Sequence, residues 1–385
     1  MQDARSPRQG LSLDGHVDIL FLITDLAVGG AENQVQDLAR LLTSKGWKVS
    51  IVSLMPPSIP VGDLLAAGID VEDLHLRRGS WNPWSIVRFR HIVRRRRPRL
   101  VHSHMVHANL LARITRPLSG SVPLISTSHN VHEGGRLRTL ALRLTDRLST
   151  RTTHVSRTGL SRYLRESVVD PARAMWIPNG VDLDRFSPSR SRRTTLRQEL
   201  GLSDERFVWL SVASLTRQKG HDRLLHAFAQ LPDDPVLVVA GVGPESSSLQ
   251  ELAQRLGVQD RVRFLGVRSD PEALMDAADA FVLSSRWEGL PLVLMEAAAS
   301  QLPVVAIDVG GCRELVHDGV TGFLVPPDDG GRLARAMGGL MGASEAERQK
   351  LGEAGRSLMQ SQFDIEAVVA RWEDVYRQVA RTDGL

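Results

Sequence analysis

The sequence predicts an α/β protein built from two doubly wound parallel-sheet domains. Short apolar runs of strand length alternate with longer helical patterns, each run ending in a loop before the next helix begins. The alternation stops at a polar, Arg- and Ser-rich segment, Ser187 to Arg206, and then starts again. Two successive series of strand and helix imply two parallel domains, and 385 residues is long for a single core.

Composition narrows the class. The apolar fraction of 42% and charged fraction of 24% are those of an ordinary soluble globular protein. A lone cysteine, Cys312, excludes an intrachain disulfide and a Cys-based zinc site and fits a reducing compartment. No apolar run approaches the ~20 residues needed to span a bilayer. Residues 1–16 carry both charge signs without the apolar core of a signal peptide, so a cytoplasmic enzyme is expected. Residues 1–186 hold 26 Lys and Arg against 16 Asp and Glu, whereas residues 187–385 hold 22 against 28. A basic first half points to nucleic acid, an anionic membrane or an anionic substrate. Without an aromatic stacking platform or a nucleic-acid motif, no nucleic acid is expected, and a membrane surface or a lipid diphosphate acceptor fits better.

In chain order, residues 1–15 read as a disordered leader. Val17 to Thr24 is the first strand, followed by a loop holding Gly29 and Gly30 and a helix from Gln34 to Leu42. The two glycines serve either a tight turn or close backbone approach to a ligand at the carboxyl end of the sheet. Trp47 to Leu54 and Ile69 to Leu74 read as strands, and Trp84 to Arg97 as a helix ending before Pro98. On the strand Leu100 to His104, His102 and His104 point to one face, which suits local hydrogen bonding better than a metal because no carboxylate or cysteine has helpful spacing. Pro123 to Asn130 is a strand and its terminal loop, which delivers His129 to the edge where ligands of such sheets bind. Helix 137–148 and strand 153–156 lead to Ile177-Pro178-Asn179-Gly180-Val181-Asp182. Asp182-Leu183-Asp184 reads as part of a hinge rather than as a metal-binding Asp-x-Asp.

The second series opens with strand 207–212 and the loop Ser214 to Gly220, where Arg217 and Lys219 can neutralise a departing diphosphate without a metal. Helix 222–229, strand 236–240, Gly241-Val242-Gly243-Pro244, helix 245–256 and strand 262–265 follow; the glycines are a fragment of a dinucleotide fingerprint whose third glycine is missing. The organising stretch is Ser284 to Ala299, a loop after the strand Ala280–Leu283 running into a helix with Pro291 as its first residue. Backbone N–H groups at such a helix opening favour a diphosphate. Glu288 lies ahead of that opening, and Glu296, inside the helix, can accept two ribose hydroxyls. Finally, Ile365, Val368, Val369, Trp372, Val375, Tyr376 and Val379 form one apolar stripe on a helix over 363–380.

Trp287-Glu288-Gly289-Leu290-Pro291 with Glu296, Leu302-Pro303-Val304-Val305-Ala306 and Val309-Gly310-Gly311 closely resembles the donor-site signature of the retaining glycosyltransferases of family 4, the glycogen-synthase-like enzymes. Gly-Gly-Ala-Glu at residues 29–32, His-Ser-His at 102–104, the Pro-Asn-Gly-Val-Asp hinge and Lys219-Gly220 match as well. The resemblance implies a GT-B fold: an acceptor domain over 16–186, a nucleotide-sugar domain over 187–363, and a terminal helix over 364–385 that crosses back to the first. It implies catalytic His129, Glu288, Lys219 and Arg217. It also implies donor contacts from Gly29, Gly30, Asn179, Gly243, Gly289, Leu290, Pro291 and Glu296, with the base near Val267 and Arg268. No metal or other cofactor is expected. The arginine usual five residues before the phosphate lysine is replaced here by Ser214, and Arg217 is the residue left to serve in its place. The expected reaction moves a hexosyl or N-acetylhexosaminyl unit from a nucleotide diphosphate sugar, UDP-linked in preference to GDP-mannose, to a glycan or lipid-linked acceptor. A GT-B sugar-nucleotide epimerase and a non-catalytic nucleotide-sugar-binding protein are the competing readings. Seven arginines between Arg88 and Arg99 are read either as a membrane-contacting patch on the inner face of the plasma membrane or as a solvated helix face.

Overall fold

The computed structural model describes residues 16–382, apart from residues 28, 78, 80, 81, 121, 132, 133, 233, 328 and 329; the leader expected over residues 1–15 lies outside them. A seven-stranded sheet is built from β1 (Ile19–Ile23), β2 (Val49–Ser53), β3 (Asp70–Asp73), β4 (Leu100–His104), β5 (Leu124–Ser128), β6 (Arg151–His154) and β7 (Ala174–Trp176), in the order β3-β2-β1-β4-β5-β6-β7. A six-stranded sheet follows from β8 (Val208–Val212), β9 (Val236–Ala240), β10 (Val262–Gly266), β11 (Ala280–Leu283), β12 (Val304–Ile307) and β13 (Gly322–Val325), in the order β10-β9-β8-β11-β12-β13. Every pairing within the two sheets is parallel. Parallel pairing forces a crossover between consecutive strands, and helices on both faces supply it.

Strands β1, β9, β11 and β12 are apolar throughout because both faces are covered. Ile19, Phe21 and Ile23 of β1 pack with the helix Gly30–Ser44 and the terminal helix, while Leu20 and Leu22 pack on the opposite face against Phe89 and Leu111. In the second sheet Leu210 and Trp209 separate in the same way. That is the two-residue period of a strand.

The terminal helix, Ile365–Thr382, buries all seven residues of its predicted stripe in the core of the first sheet. Each such side chain contributes roughly 1.5–3 kcal/mol gross on leaving water. The chain therefore crosses between the domains twice, and the crossings are paired: Val181 N–H donates to Phe363 O (2.8 Å) and Ile365 N–H to Val181 O (3.1 Å). Gly180 is required there, since a Cβ would lie 2.6 Å from Ile365 Cα. Asp182 closes a turn by accepting from the N–H groups of Asp184 (3.0 Å) and Arg185 (2.9 Å). No cluster of metal-binding side chains occurs among the described residues. The long helix Glu345–Gln362 begins with a capping box, Ser344 and Glu347 exchanging side-chain and backbone bonds.

Candidate active site

On the second domain, β11 ends in the loop Ser284–Leu290. Pro291 is the N-cap, in extended conformation, and the helix begins at Leu292, one residue later than the sequence suggests. The loop after β8 turns through the short helix Arg217–Lys219 and then Gly220, whose φ of 67° and close approach to Ser284 O exclude a side chain. Lys219 Nζ reaches Glu288 Oε1 at 2.7 Å, and Ser285 Oγ donates to the same oxygen at 2.6 Å. Glu288 is buried, so this is a shielded pair rather than a surface one. Lys219 has three N–H donors and spends one on Glu288, which leaves two for an anion.

The loop after β8 is pinned by a residue the sequence reading passed over. Arg286 binds Asp222 with both ends of its fork (2.8 and 2.6 Å) and donates to Arg217 O (2.8 Å). Its backbone N–H donates to Gln218 O (2.7 Å), so two loops of the site move as one. Arg217 and Ser214 are both exposed at this edge.

Glu296 lies in the helix Leu292–Ala299. Burial pushes its carboxyl up to about 7, with Arg185 opposing and Asp37 and Glu272 adding to the shift. Three of the expected donor contacts have other partners. Gly243 is a glycine because a Cβ would meet Leu215 O at 2.2 Å, which is loop packing. Arg268 is bound by Asp270 (2.8 and 2.7 Å) and Glu199 (2.9 Å), while Val267 beside it is exposed. Asn179 is buried and donates to Leu290 O at 3.2 Å, so it holds the loop carrying Glu288.

On the first domain the edge is lined by histidines. His102 Nδ1 pairs with Tyr376 Oη (2.8 Å) and its Nε2 with Thr127 Oγ1 (2.7 Å), so its partners are distant in sequence rather than local. His104 turns toward the site, its Nδ1 2.9 Å from Nε2 of His129. Both rings are buried. His104 Nε2 and His129 Nδ1 have no hydrogen-bond partner among the described residues. Burial, with His154 nearby, pushes His129 down to about 3, so the ring is neutral. His154 accepts from Ser156 N–H at Nδ1 (3.0 Å), which leaves Nε2–H to donate to Asn130 O (3.2 Å). That bond steadies the loop after β5.

The two edges meet. Asn130 and Gly289 form an antiparallel bridge between the domains. A Cβ on Gly289 would fall 1.7 Å from His129 O, so only glycine lets the strands' ends approach. Gly310, at φ 57°, and Gly311 pack against the carbonyls of Glu288 and Gly289, and Gly311 N–H donates to Gly289 O (2.7 Å). Gly29 caps the helix Gly30–Ser44, and Gly30 faces Leu292, so the amino-terminal ends of two helices converge across the cleft. Their dipoles make this a positive region independent of side chains. Glu314 closes the far side: its carboxylate accepts from the N–H groups of Arg157 (2.8 Å) and Thr158 (3.0 Å), capping the helix Arg157–Arg165 from the opposite domain. Nothing in the sequence singles out Glu314, since its partners lie 157 and 156 residues away.

Two parallel-sheet domains that meet at their carboxyl edges, with a terminal helix returning to the first, define a GT-B glycosyltransferase architecture. The chain belongs to the glycosyltransferases of family 4: residues 28–185 match Glycosyltransferase Family 4 and residues 192–358 match Glycosyl transferases group 1. It is 31% identical to D-inositol 3-phosphate glycosyltransferase 2 of Catenulispora acidiphila over 96% of this chain and 95% of that one. It is 28% identical to an Escherichia coli UDP-Gal:alpha-D-GlcNAc-diphosphoundecaprenol alpha-1,3-galactosyltransferase over 64% of this chain and 67% of that one. Among solved structures, Anabaena Alr3699/HepE in complex with UDP and glucose superimposes with a TM-score of 0.84 at 23% identity, covering 94% of this chain and all of that one.

Proposed function

We propose that this glycosyltransferase moves a hexosyl or N-acetylhexosaminyl unit from a nucleotide diphosphate sugar to a hydroxyl of a glycan or lipid-linked acceptor, with retention at the anomeric carbon. The observation that carries the reading is the Asn130–Gly289 bridge, which brings the neutral His129 edge against the Lys219–Glu288 edge. The diphosphate lies between Lys219, the exposed Arg217 and the two converging helix ends. Glu296 accepts the ribose hydroxyls. His129, buried at the edge of the first sheet with Nδ1 unpartnered among the described residues, is the group assigned to the donor sugar.

In the reaction the anomeric carbon–oxygen bond to the diphosphate breaks and a bond to the acceptor oxygen forms on the same face. The acceptor proton passes to the departing phosphate oxygen. Glu288, already bound by Lys219 and Ser285, serves as a fixed hydrogen-bond acceptor rather than a nucleophile. Lys219, Arg217 and the helix ends supply the positive field, so transfer proceeds without a metal. A UDP donor is favoured over GDP-mannose, and the relatives divide on this point: one is named for UDP-Gal and another, from Mycolicibacterium smegmatis, for GDP-mannose.

A panel of UDP-, GDP- and ADP-sugars screened by thermal shift selects the donor, since a ligand at 100 times its dissociation constant stabilises by about 2.7 kcal/mol. Transfer to a glycosylated polyprenyl diphosphate is then followed with and without EDTA, and NMR of the product gives the anomeric configuration. A retained configuration with undiminished rate in EDTA is expected. Inversion, or loss of activity restored by Mg²⁺, overturns the corresponding part. Conversion of UDP-N-acetylglucosamine without acceptor would identify an epimerase instead.

A further inference from the structure

The helix Arg136–Thr145 is built inside out. Of its ten residues only Leu142 is buried, whereas Leu137, Leu140 and Leu144 are 82%, 49% and 66% exposed. At about 100° per residue these three leucines cluster on one stripe, and Leu142 lies roughly opposite its centre. The apolar stripe therefore faces directly away from the protein. Arg136, Arg143 and Arg147 are exposed along one flank of it. A helix that needed only to cover its sheet would place its leucines the other way round.

The charge of the surrounding surface tells what covers this stripe. From residue 74 to residue 145 the sequence holds fourteen arginines, of which Arg96 and Arg113 are buried, and one acid, Glu133. Those residues include three neighbouring helices on one face of the first sheet, Trp84–Arg96, Val106–Thr115 and Arg136–Thr145. Trp84 and Val87, on the first of them, are also exposed. The arginines of that first helix are largely committed elsewhere. Arg96 is buried between Asp70 and Glu72, Arg95 binds Glu72, and Arg88 and Arg90 donate to the carbonyls of Leu74 and Leu118. The basic flank of Arg136–Thr145 is the better-placed contact, although the sequence singled out Arg88 to Arg99.

We propose that Arg136–Thr145 is a membrane-docking helix that inserts its leucine stripe into an anionic lipid bilayer, with the arginines on the headgroups. Exposed leucines flanked by arginines match the two layers of such an interface, apolar inside and anionic outside. A nucleic acid would engage the arginines but offers the leucines nothing. The helix starts seven residues after His129, and a seven-residue link spans at most about 25 Å. A membrane-borne acceptor would thus be presented beside the cleft. The choice of a lipid-linked acceptor rests on the transferase reading above; the docking itself does not, and it is measured without donor or acceptor.

The test is flotation of the full chain with phosphatidylcholine vesicles containing phosphatidylglycerol, with phosphatidylcholine vesicles as control, at low and high salt. Binding to the anionic vesicles, lost at high salt, is expected. Leu137→Ser with Leu144→Ser, which leaves the charge unchanged, should weaken partitioning at least about tenfold. Arg136→Gln, Arg143→Gln and Arg147→Gln together should weaken it about 100-fold. These positions are exposed, so an unchanged melting temperature verifies folding in the same samples. The proposal is overturned by absence of low-salt binding, by undiminished binding of the leucine variant, or by tighter binding to single-stranded RNA than to the vesicles. It is also overturned if the wild type is a dimer in solution that the leucine variant dissociates.

Discussion

The two edges of the cleft solve opposite physical problems. On the first domain His102, His104, His129 and His154 are buried and held neutral by desolvation. On the second, Lys219 and Glu288 keep their charges together, and Glu296 sits where its carboxyl is poised near neutrality. A neutral, packed edge can donate and accept hydrogen bonds to sugar hydroxyls without binding the diphosphate. A charged edge with spare donors can bind diphosphate but discriminates sugars poorly. Under the proposed transferase reading, this difference would put leaving-group stabilisation on the second domain and sugar recognition on the first.

Breaking the charged edge should have the largest effect. Lys219→Ala removes a cation and strands Glu288, so turnover should fall by about 1,000-fold. The fold should lose stability by about 3–5 kcal/mol, because breaking a shielded pair leaves a buried charge alone. Kinetics and denaturant melts on one preparation measure both, and an unchanged turnover would remove Lys219 from the leaving-group site.

The neutral edge is probed by His129→Ala. Turnover should fall by about 100-fold while UDP or GDP affinity stays near the wild-type value, since the ring acts only after the nucleotide is in place. Because burial holds His129 down to about 3, its own ionisation should leave the turnover profile flat from pH 5 upward. Calorimetry beside steady-state kinetics separates the two quantities, and parallel losses in both would erase the contrast between the edges.

Glu296 sharpens the comparison through pH. In the proposed role its ionised form accepts ribose hydroxyls, and burial pushes its carboxyl up to about 7. Nucleotide affinity should be full above pH 7 and should fall by up to about tenfold per unit below it, because the carboxyl must then lose a proton to bind. Glu296→Ala should cost roughly 1.5–3 kcal/mol of affinity at pH 8. Glu296→Gln should flatten the profile, and a Gln variant that retains the pH dependence assigns that dependence to another group.

The smallest effect should come from the contact that joins the edges. Glu314→Ala removes the two inter-domain bonds to the first turn of Arg157–Arg165, whose own N-cap Ser156 stays in place, at a cost of about 1 kcal/mol, and should lower kcat/KM about fivefold while leaving UDP affinity intact. Small-angle scattering should show a larger mean radius for the variant. An unchanged radius would show that the Asn130–Gly289 bridge holds the domains without it.

Much of the fold was legible because its signals are local. Strands β4, β9 and β11 carry the residues read from the sequence, and the terminal helix buries the stripe that its period announced. The capping box at Ser344 and Glu347 was equally available as a signal for the long helix that follows, and it was passed over. The alternation of apolar run and helical pattern, the break between residues 187 and 206, and the motif around Glu288 were determined by the sequence alone, since each depends on neighbours within a few turns of chain.

Tertiary structure decided which side chains meet. Lys219 and Glu288 are 69 residues apart and His104 and His129 are 25 apart, and no period encodes either pair. Several of the residues expected at the donor have partners within the protein for the same reason. Gly243 accommodates Leu215, Asn179 holds Leu290, and Arg268 is neutralised by Glu199 and Asp270. Exposure was decided there too: the leucines of Arg136–Thr145 read as an ordinary helical pattern until the fold turned them toward solvent. A helical period states that residues share a face, and only the packing of that helix on its sheet determines whether the face is inside or out.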